Sequence, residues 1–180
     1  MYTYANGDVY EGGWKEDKKD GFGKMTYWDD TVFEGVFTNN NQSDGKLTWP
    51  DGRVYEGESN DRQRDGSGKL TLPDGRVYIG EWINNKMDGF GILTYPDGAI
   101  YEGGWKDSRK HGQGKYTYAN GDVYEGGYKN NKKHNTHGTG TEIYTNGNVY
   151  NVVWKNGVKF IHSPITSSVV TANTDNKKLC

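Results

Sequence analysis

Two histidines stand three residues apart in Lys132-Lys133-His134-Asn135-Thr136-His137, a spacing that could present two imidazoles to one metal ion. A closed metal site needs further ligands, and the one cysteine, Cys180, lies at the far end of the chain. No regular element holds the two rings either, so a solvated loop is the better reading, and no metal or cofactor is expected. Basic residues gather in the same region: Lys106, Arg109, Lys110 and His111 in one loop, Lys129, Lys132 and Lys133 in the next. Cations clustered in this way could take a phosphate or a phosphoinositide headgroup; the competing reading is an ordinary solvated loop edge. Gly-x-Gly triplets recur, but no strand-to-helix turn follows them to cradle a phosphate. No Ser/His/Asp or Cys/His set recurs at usable spacing, and no enzymatic activity is expected.

What recurs is aromatic. One phrase begins at Tyr10, Phe33, Tyr55, Tyr78, Tyr101 and Tyr124, with a worn copy at Tyr150. A fixed period of about 23 residues is the signature of a linear repeat array. Each copy holds two short stretches of period-two alternation. Tyr116 and Tyr118 share a face in Lys115-Tyr116-Thr117-Tyr118, and Tyr124, Gly126 and Tyr128 share one in the stretch that follows. Such alternation predicts strands. Between them stand Asn6-Gly7, Pro50-Asp51-Gly52, Pro73-Asp74-Gly75, Pro96-Asp97-Gly98, Asn120-Gly121 and Asn146-Gly147, where Pro presets φ and Gly takes the positive φ that closes a hairpin. In the second copy Asp30 occupies the glycine position, and strain is expected there.

The copies also indicate register. At Tyr78 the usual Glu becomes Ile79 and the usual Lys becomes Ile92, a joint change that implies contact. The expected pairs are Glu11–Lys24, Glu34–Lys46, Glu56–Lys69, Ile79–Ile92 and Glu102–Lys115. The same register sets Gly12 opposite Gly23 and Trp14 opposite Gly21, so that the Trp rings would lie on bare backbone. One face then carries Tyr10, Trp14, Phe33, Phe37, Tyr55, Tyr78, Trp82, Tyr101, Trp105, Tyr124, Tyr128 and Trp154, interrupted by Ser59 and Glu142. The other carries the Glu/Lys rows and a row of threonines. A single-layer sheet has no second layer to cover these rings. Their row is therefore the expected docking surface for a helix or extended segment of a partner protein.

Composition agrees with a thin structure. Leu, Ile, Val and Phe together number 29 of 180 residues, while aromatics make up 14% and glycines number 27. Net charge is −2, divided into −6 for residues 1–60 and +4 for the remainder. Nucleic acid is not an expected partner. Neither a signal peptide nor an apolar run of membrane-span length is present, and a cytoplasmic setting is the natural reading.

Tyr-Glu-Gly-x-Trp, then Gly-x-Gly, then Tyr-x-x-Asp/Asn-Gly-x-x-Tyr resembles the MORN (membrane occupation and recognition nexus) repeat, over roughly residues 2–157. Departures are Phe33/Phe37, Ser43, Ser59 and Asn151-Val152-Val153. The resemblance implies an all-β, elongated, single-layer antiparallel sheet, with six clear repeats and one degenerate repeat over residues 1–157; after Gly157 the pattern stops, and a Ser/Thr/Asn/Lys-rich composition predicts a flexible tail over 158–180. It also implies a scaffold, since such proteins occur in radial spoke heads of the axoneme and cilium, in other cytoskeletal assemblies, in junctophilins and in plant phosphoinositide kinases. Two alternatives stay open. One is a peripheral membrane module binding anionic lipid through Lys106, Arg109, Lys110, Lys129, Lys132 and Lys133. The other is the repeat part of a longer enzyme. The Gly-x-Gly expected before Thr3 is missing, which makes the first strand an open edge suited to homo-oligomerisation.

Overall fold

The computed structural model describes residues 1–60, 63–135 and 139–165. Their strands are β1 (Tyr2–Thr3), β2 (Val9–Lys15), β3 (Lys18–Thr26), β4 (Val32–Thr38), β5 (Asn41–Thr48) and β6 (Val54–Asn60). There follow β7 (Gln63–Thr71), β8 (Val77–Ile83), β9 (Lys86–Thr94), β10 (Ile100–Lys106), β11 (Arg109–Thr117) and β12 (Val123–Lys129). The last are β13 (Lys132–Lys133), β14 (Gly140–Ile143), β15 (Val149–Lys155) and β16 (Val158–Pro164). All join one antiparallel sheet in which sequence neighbours are spatial neighbours, β13 alone standing off the path beside β12. Local pairing of this kind is what repeating hairpins dictate, since each strand finds its partner across a short turn.

The register follows the Glu/Lys rows. Glu11 faces Lys24, Glu34 faces Lys46, Glu56 faces Lys69, Ile79 faces Ile92 and Glu102 faces Lys115. Beyond the glycine pair it departs from expectation. Gly12 does face Gly23, but a bulge follows, and Trp14 faces Lys19 rather than Gly21. The same slip recurs between Gly35 and Phe37, Gly57 and Ser59, Gly80 and Trp82, and Gly103 and Trp105. The extra residue carries each Trp-type side chain towards the preceding hairpin instead. There Phe37 faces Gly21, Trp82 faces Gly66, Trp105 faces Gly89 and Tyr128 faces Gly112.

Two kinds of turn alternate. The Asn-Gly and Pro-Asp-Gly turns close one end of the hairpins, with Gly7, Gly52, Gly75, Gly98, Gly121 and Gly147 at φ of 86–93°. Asp30 adopts the same region at φ 63°, at the position where strain was expected. The other end is closed by two-residue turns in which both residues have positive φ: Glu16/Asp17, Asn39/Asn40, Asn84/Asn85, Asp107/Ser108 and Asn130/Asn131. That is type I′ geometry, whose twist matches the flanking strands and which Asn and Asp tolerate best without glycine.

The boundary expected at residue 157 is overrun. Val158–Pro164 pairs with β15, Lys155 facing Val158 and Trp154 facing Lys159. The His162 ring stacks on Tyr150 at 3.9 Å between centroids. The physical reason is the open edge β15 would otherwise present, with unpaired backbone groups that an extended segment satisfies. The rest of the expected tail, 166–180, lies outside the described residues.

Candidate functional site

Each repeat builds its site on a tyrosine folded back along its own strand. Tyr10, Tyr55, Tyr78, Tyr101 and Tyr124 donate their hydroxyls to the carbonyls of Gly13, Glu58, Glu81, Gly104 and Gly127, at 2.7–3.2 Å. Each acceptor is three residues on, at the bulge, where the ladder is interrupted. To reach it the ring must cross the intervening glycine and the glycine opposite. A Cβ on Gly12 or Gly23 would come within 2.4 or 2.5 Å of the Tyr10 hydroxyl. The glycine pair is therefore a bed for tyrosine, not for tryptophan as the sequence suggested. Phe33 has no hydroxyl, and in that repeat Ser43 donates to the bulge carbonyl of Val36 at 3.4 Å.

The tryptophan-type residues lock adjacent repeats. Trp82 Nε1 donates to Gly68 O at 3.3 Å and Trp105 Nε1 to Gly91 O at 3.2 Å. Rings alternate edge-to-face down the sheet: Tyr78 to Trp82, Tyr78 to Trp105, Tyr101 to Trp105 and Tyr101 to Tyr128, all with centroids 5.0–5.3 Å apart. Edge-to-face pairs are favoured by the ring quadrupole. This ladder is the core. Tyr10, Phe33, Phe37, Tyr55, Tyr78, Trp82, Tyr101, Trp105, Tyr124 and Tyr128 are all buried, at no more than 5% exposure. Of the expected docking row only Trp14, at 44%, and the half-buried Trp154 reach solvent. Burial also raises the tyrosine hydroxyls, Tyr55 and Tyr124 to about 12.

A row that sequence reasoning missed supplies much of the cover. Lys19, Gln42, Arg64, Met87, Lys110 and Lys133 recur at the repeat period and point at the rings, and all but Arg64 are the first residues past a type I′ turn to do so. Lys19 lies over Tyr4, Tyr10 and Phe37. Lys110 Nζ lies 5.2, 4.7 and 4.6 Å from the ring centres of Tyr95, Tyr101 and Tyr116. The Arg64 guanidinium sits 4.2 Å from the Trp82 ring and also covers Tyr55, in the repeat where Ser59 replaces the aromatic. The next repeat's turn grips this row from the side: Asn40, Asn85 and Asn131 accept through their side chains from the backbone N–H of Lys19, Arg64 and Lys110, and Ser108 accepts likewise from Met87. Their period of 23 residues was the available signal; mixed chemistry at the position concealed it.

Burial pushes the Lys110 ammonium down to about 8, and no acid among the described residues counters it. It lowers Arg64 in the same way. Burial lowers Lys133 as well, but there Glu142, 3.5 Å from it and 2.6 Å from Lys159, works against the shift. Glu142 stands where other repeats have Met25, Leu47, Leu70, Leu93 or Tyr116. Burial works against its charge, yet the hydrogen bonds from Lys159 and Tyr144 and the charge of Lys133 hold its carboxyl below the usual range.

The basic loops do not form one patch. Lys106 pairs with Asp88 at 3.1 Å, and Lys110 and Lys133 turn onto the rings, leaving Arg109, Lys129 and Lys132 exposed. The His134 ring accepts from the Asn156 N–H through Nδ1 at 3.1 Å, and His137 lies outside the described residues. Among the described residues no group of three or more His, Cys, Asp or Glu could hold a metal ion. No helix is long and apolar enough to cross a membrane.

Open space on the aromatic face lies beside the core rings. A cavity of 440 Å³ is walled by Tyr27, Trp28, Trp49, Arg53 and Arg64. One of 310 Å³ is walled by Leu72, Met87, Tyr95 and Lys110, and one of 430 Å³ by Tyr116, Tyr118, Glu142 and Tyr144. A fourth, of 860 Å³, lies at the N-terminal end against Tyr2, Tyr4, Trp14 and Lys19. The Glu/Lys face is not wholly polar, since Phe22, Ile79 and Phe90 are each more than half exposed on it.

The MORN repeat model matches residues 10–30, 33–52, 55–75, 78–100, 101–123 and 124–149. The chain belongs to the MORN repeat family. This MORN array resembles the SAS-4 (dCPAP) TCP domain of Drosophila melanogaster, solved in complex with a proline-rich motif of Ana2, at 17% identity. That match covers 91% of this chain and 94% of the other, with a TM-score of 0.47. It also resembles the wild-type TCP10 domain of Danio rerio CPAP in complex with a STIL peptide, at 14% identity over 91% and 92% of the chains, with a TM-score of 0.29. Comparison with curated proteins finds no match.

Proposed function

We propose that this MORN array is a non-catalytic scaffold that holds an extended or helical segment of a partner protein along its aromatic face, within a cytoskeletal or axonemal assembly in the cytoplasm. The observation that carries this reading is the run of open cavities beside the buried ladder, walled by half-buried Trp49, Leu72, Tyr95 and Tyr116. Apolar rings left at the surface of a rigid element are the usual anchors of an interface. The buried ladder fixes their positions without itself touching the partner, so the docking residues lie one row further out than Tyr78 or Trp105.

Capture from the native cell, read by mass spectrometry, tests this. Trp49→Ser and Tyr95→Ser should each deplete the same set of captured proteins while the strand signal in circular dichroism persists. Ile79→Glu, on the opposite face, should leave capture intact. Loss of capture through Ile79→Glu alone would move the site to the Glu/Lys face. Recruitment to anionic vesicles that ignores both ring variants would favour the membrane reading.

A further inference from the structure

The row that covers the core rings is charged where it need not be. Met87 covers rings of the fourth repeat with no charge, and Gln42 occupies the same position in the second. Arg64 and Lys110 do similar work as half-buried cations, at the desolvation cost that burial imposes on charge. Among the described residues neither has a carboxylate within ion-pair distance; Arg64 donates to Asn85, and Lys110 lies against three tyrosines. Both line open cavities, so an incoming group can reach them.

The sixth repeat shows what such a position accepts. There the row cation is Lys133, and the carboxylate of Glu142 approaches it to 3.5 Å from the aromatic face. From this arrangement we infer that the aromatic-face groove takes an acidic extended segment, one carboxylate seated on Arg64 and another on Lys110. The inference rests on the reading that this face holds a partner segment, and adds its chemistry. Rings beneath each cation hold it in place, and low-dielectric walls strengthen its attraction for an anion.

Geometry sets the spacing of the two acids. Arg64 is on β7 and Lys110 on β11, four strand steps apart, or about 19 Å. A segment crossing the strands in extended form advances about 3.3 Å per residue, so the acids would stand about six residues apart.

A fluorescently labelled ruler, Glu-Pro-Pro-Pro-Pro-Pro-Glu, provides the probe. Polyproline advances ~3.1 Å per residue, which places its two carboxylates ~19 Å apart. Its Gln-capped counterpart is the neutral control. By anisotropy at low salt the Glu ruler should bind more tightly than the Gln ruler. Arg64→Met and Lys110→Met should each weaken it about tenfold, the usual weight of a charge-assisted contact. Met87→Lys, which adds a third cation between them, should strengthen it. Met87 itself shows that the position accepts methionine, and circular dichroism verifies each variant's sheet. Equal binding of both rulers, unmoved by these variants, overturns the inference while leaving the groove reading standing. Glu-ruler binding abolished by Lys129→Glu and Lys132→Glu, but indifferent to Arg64→Met and Lys110→Met, overturns it in favour of the loops. No binding of either ruler overturns it as well, and the Trp49 and Tyr95 capture experiment then judges the groove separately. Phosphatidylserine vesicles that bind through Arg64 and Lys110, where the ruler does not, assign the cations to a lipid surface and overturn it too.

Discussion

Gly114→Ala isolates the packing of a ring on bare backbone. Gly114 faces Gly103 beneath Tyr101, and its φ lies outside the left-handed range, so the backbone accepts alanine there. The new Cβ would meet the Tyr101 ring and hydroxyl at 2.6 Å. Tyr101 has 0% exposure and is held by its 2.9 Å hydrogen bond to Gly104 O and by edge-to-face contacts with Trp105 and Tyr128. It must move and give up part of that arrangement. Overpacking costs about 1–3 kcal/mol and the hydrogen bond about 1 kcal/mol, so Gly114→Ala should destabilise by about 2–4 kcal/mol. Gly112, two residues earlier, is the contrasting case. A Cβ there meets nothing within 4 Å, but φ is +78°, and only backbone strain of about 1–2 kcal/mol is expected for alanine. The decisive comparison uses Tyr101→Leu, whose side chain does not reach Gly114. In that background Gly114→Ala should lose most of its cost, while Gly112→Ala should keep its own. Urea unfolding followed by circular dichroism reads both, on midpoints rather than extrapolated free energies because arrays unfold piecewise. Undiminished cost of Gly114→Ala once the ring is gone would refute the ring-on-glycine account.

Tyr128 stands where Trp82 and Trp105 donate to a carbonyl, and its buried hydroxyl has no partner among the described residues; Tyr128→Trp should raise stability by about 1 kcal/mol, and a lowered melting temperature would contradict this. Trp82→Ala and Trp105→Ala remove core, not surface, and should cost about 3–5 kcal/mol each; melts close to wild type would show that the ladder does not hold the repeats together. Lys110 gives up its proton near pH 8 when folded and only near the ordinary lysine value when unfolded, so between those values the unfolded state binds more protons and stability should rise with pH. The buried tyrosines, raised when folded, reverse this above about pH 10; Lys110→Met should shrink the rise, leaving the part that Lys133, also lowered by burial, contributes, and should spare the later fall, and a rise undiminished in the variant refutes the assignment. Reversing Lys115 and Glu125 together, a pair 3.4 Å apart, should be less harmful than either reversal alone by about 0.2–1 kcal/mol at low salt, and strictly additive losses would deny the contact.

Much was legible in the residues because repetition turns one chain into several parallel observations. The joint change at Ile79 and Ile92 identified cross-strand partners, since side chains facing each other must change together. Alternation assigned faces, and Pro-Asp-Gly placed one set of turns. The other set, Asn-Asn, Asp-Ser and Glu-Asp, offers no glycine as a signal, and only the backbone angles reveal it. The bulge was hidden for a related reason: Gly13 and Gly104 look like any strand glycine, yet one extra residue redirects the next ring from Gly21 to the hairpin before. That displacement also decided the site. Which rings are buried depends on how neighbouring repeats overlap, and overlap is set by bulge and register across strands rather than by the pattern within one. Tyr78 and Trp105 therefore read as surface in the sequence and prove to be core. Lys110, read as a loop cation, lies over the rings because the Asn131 turn of the following repeat grips its backbone. The sequence determined the period, the faces and the pairing; the tertiary structure decided which aromatics face a partner, because exposure belongs to the packed array and not to any one repeat.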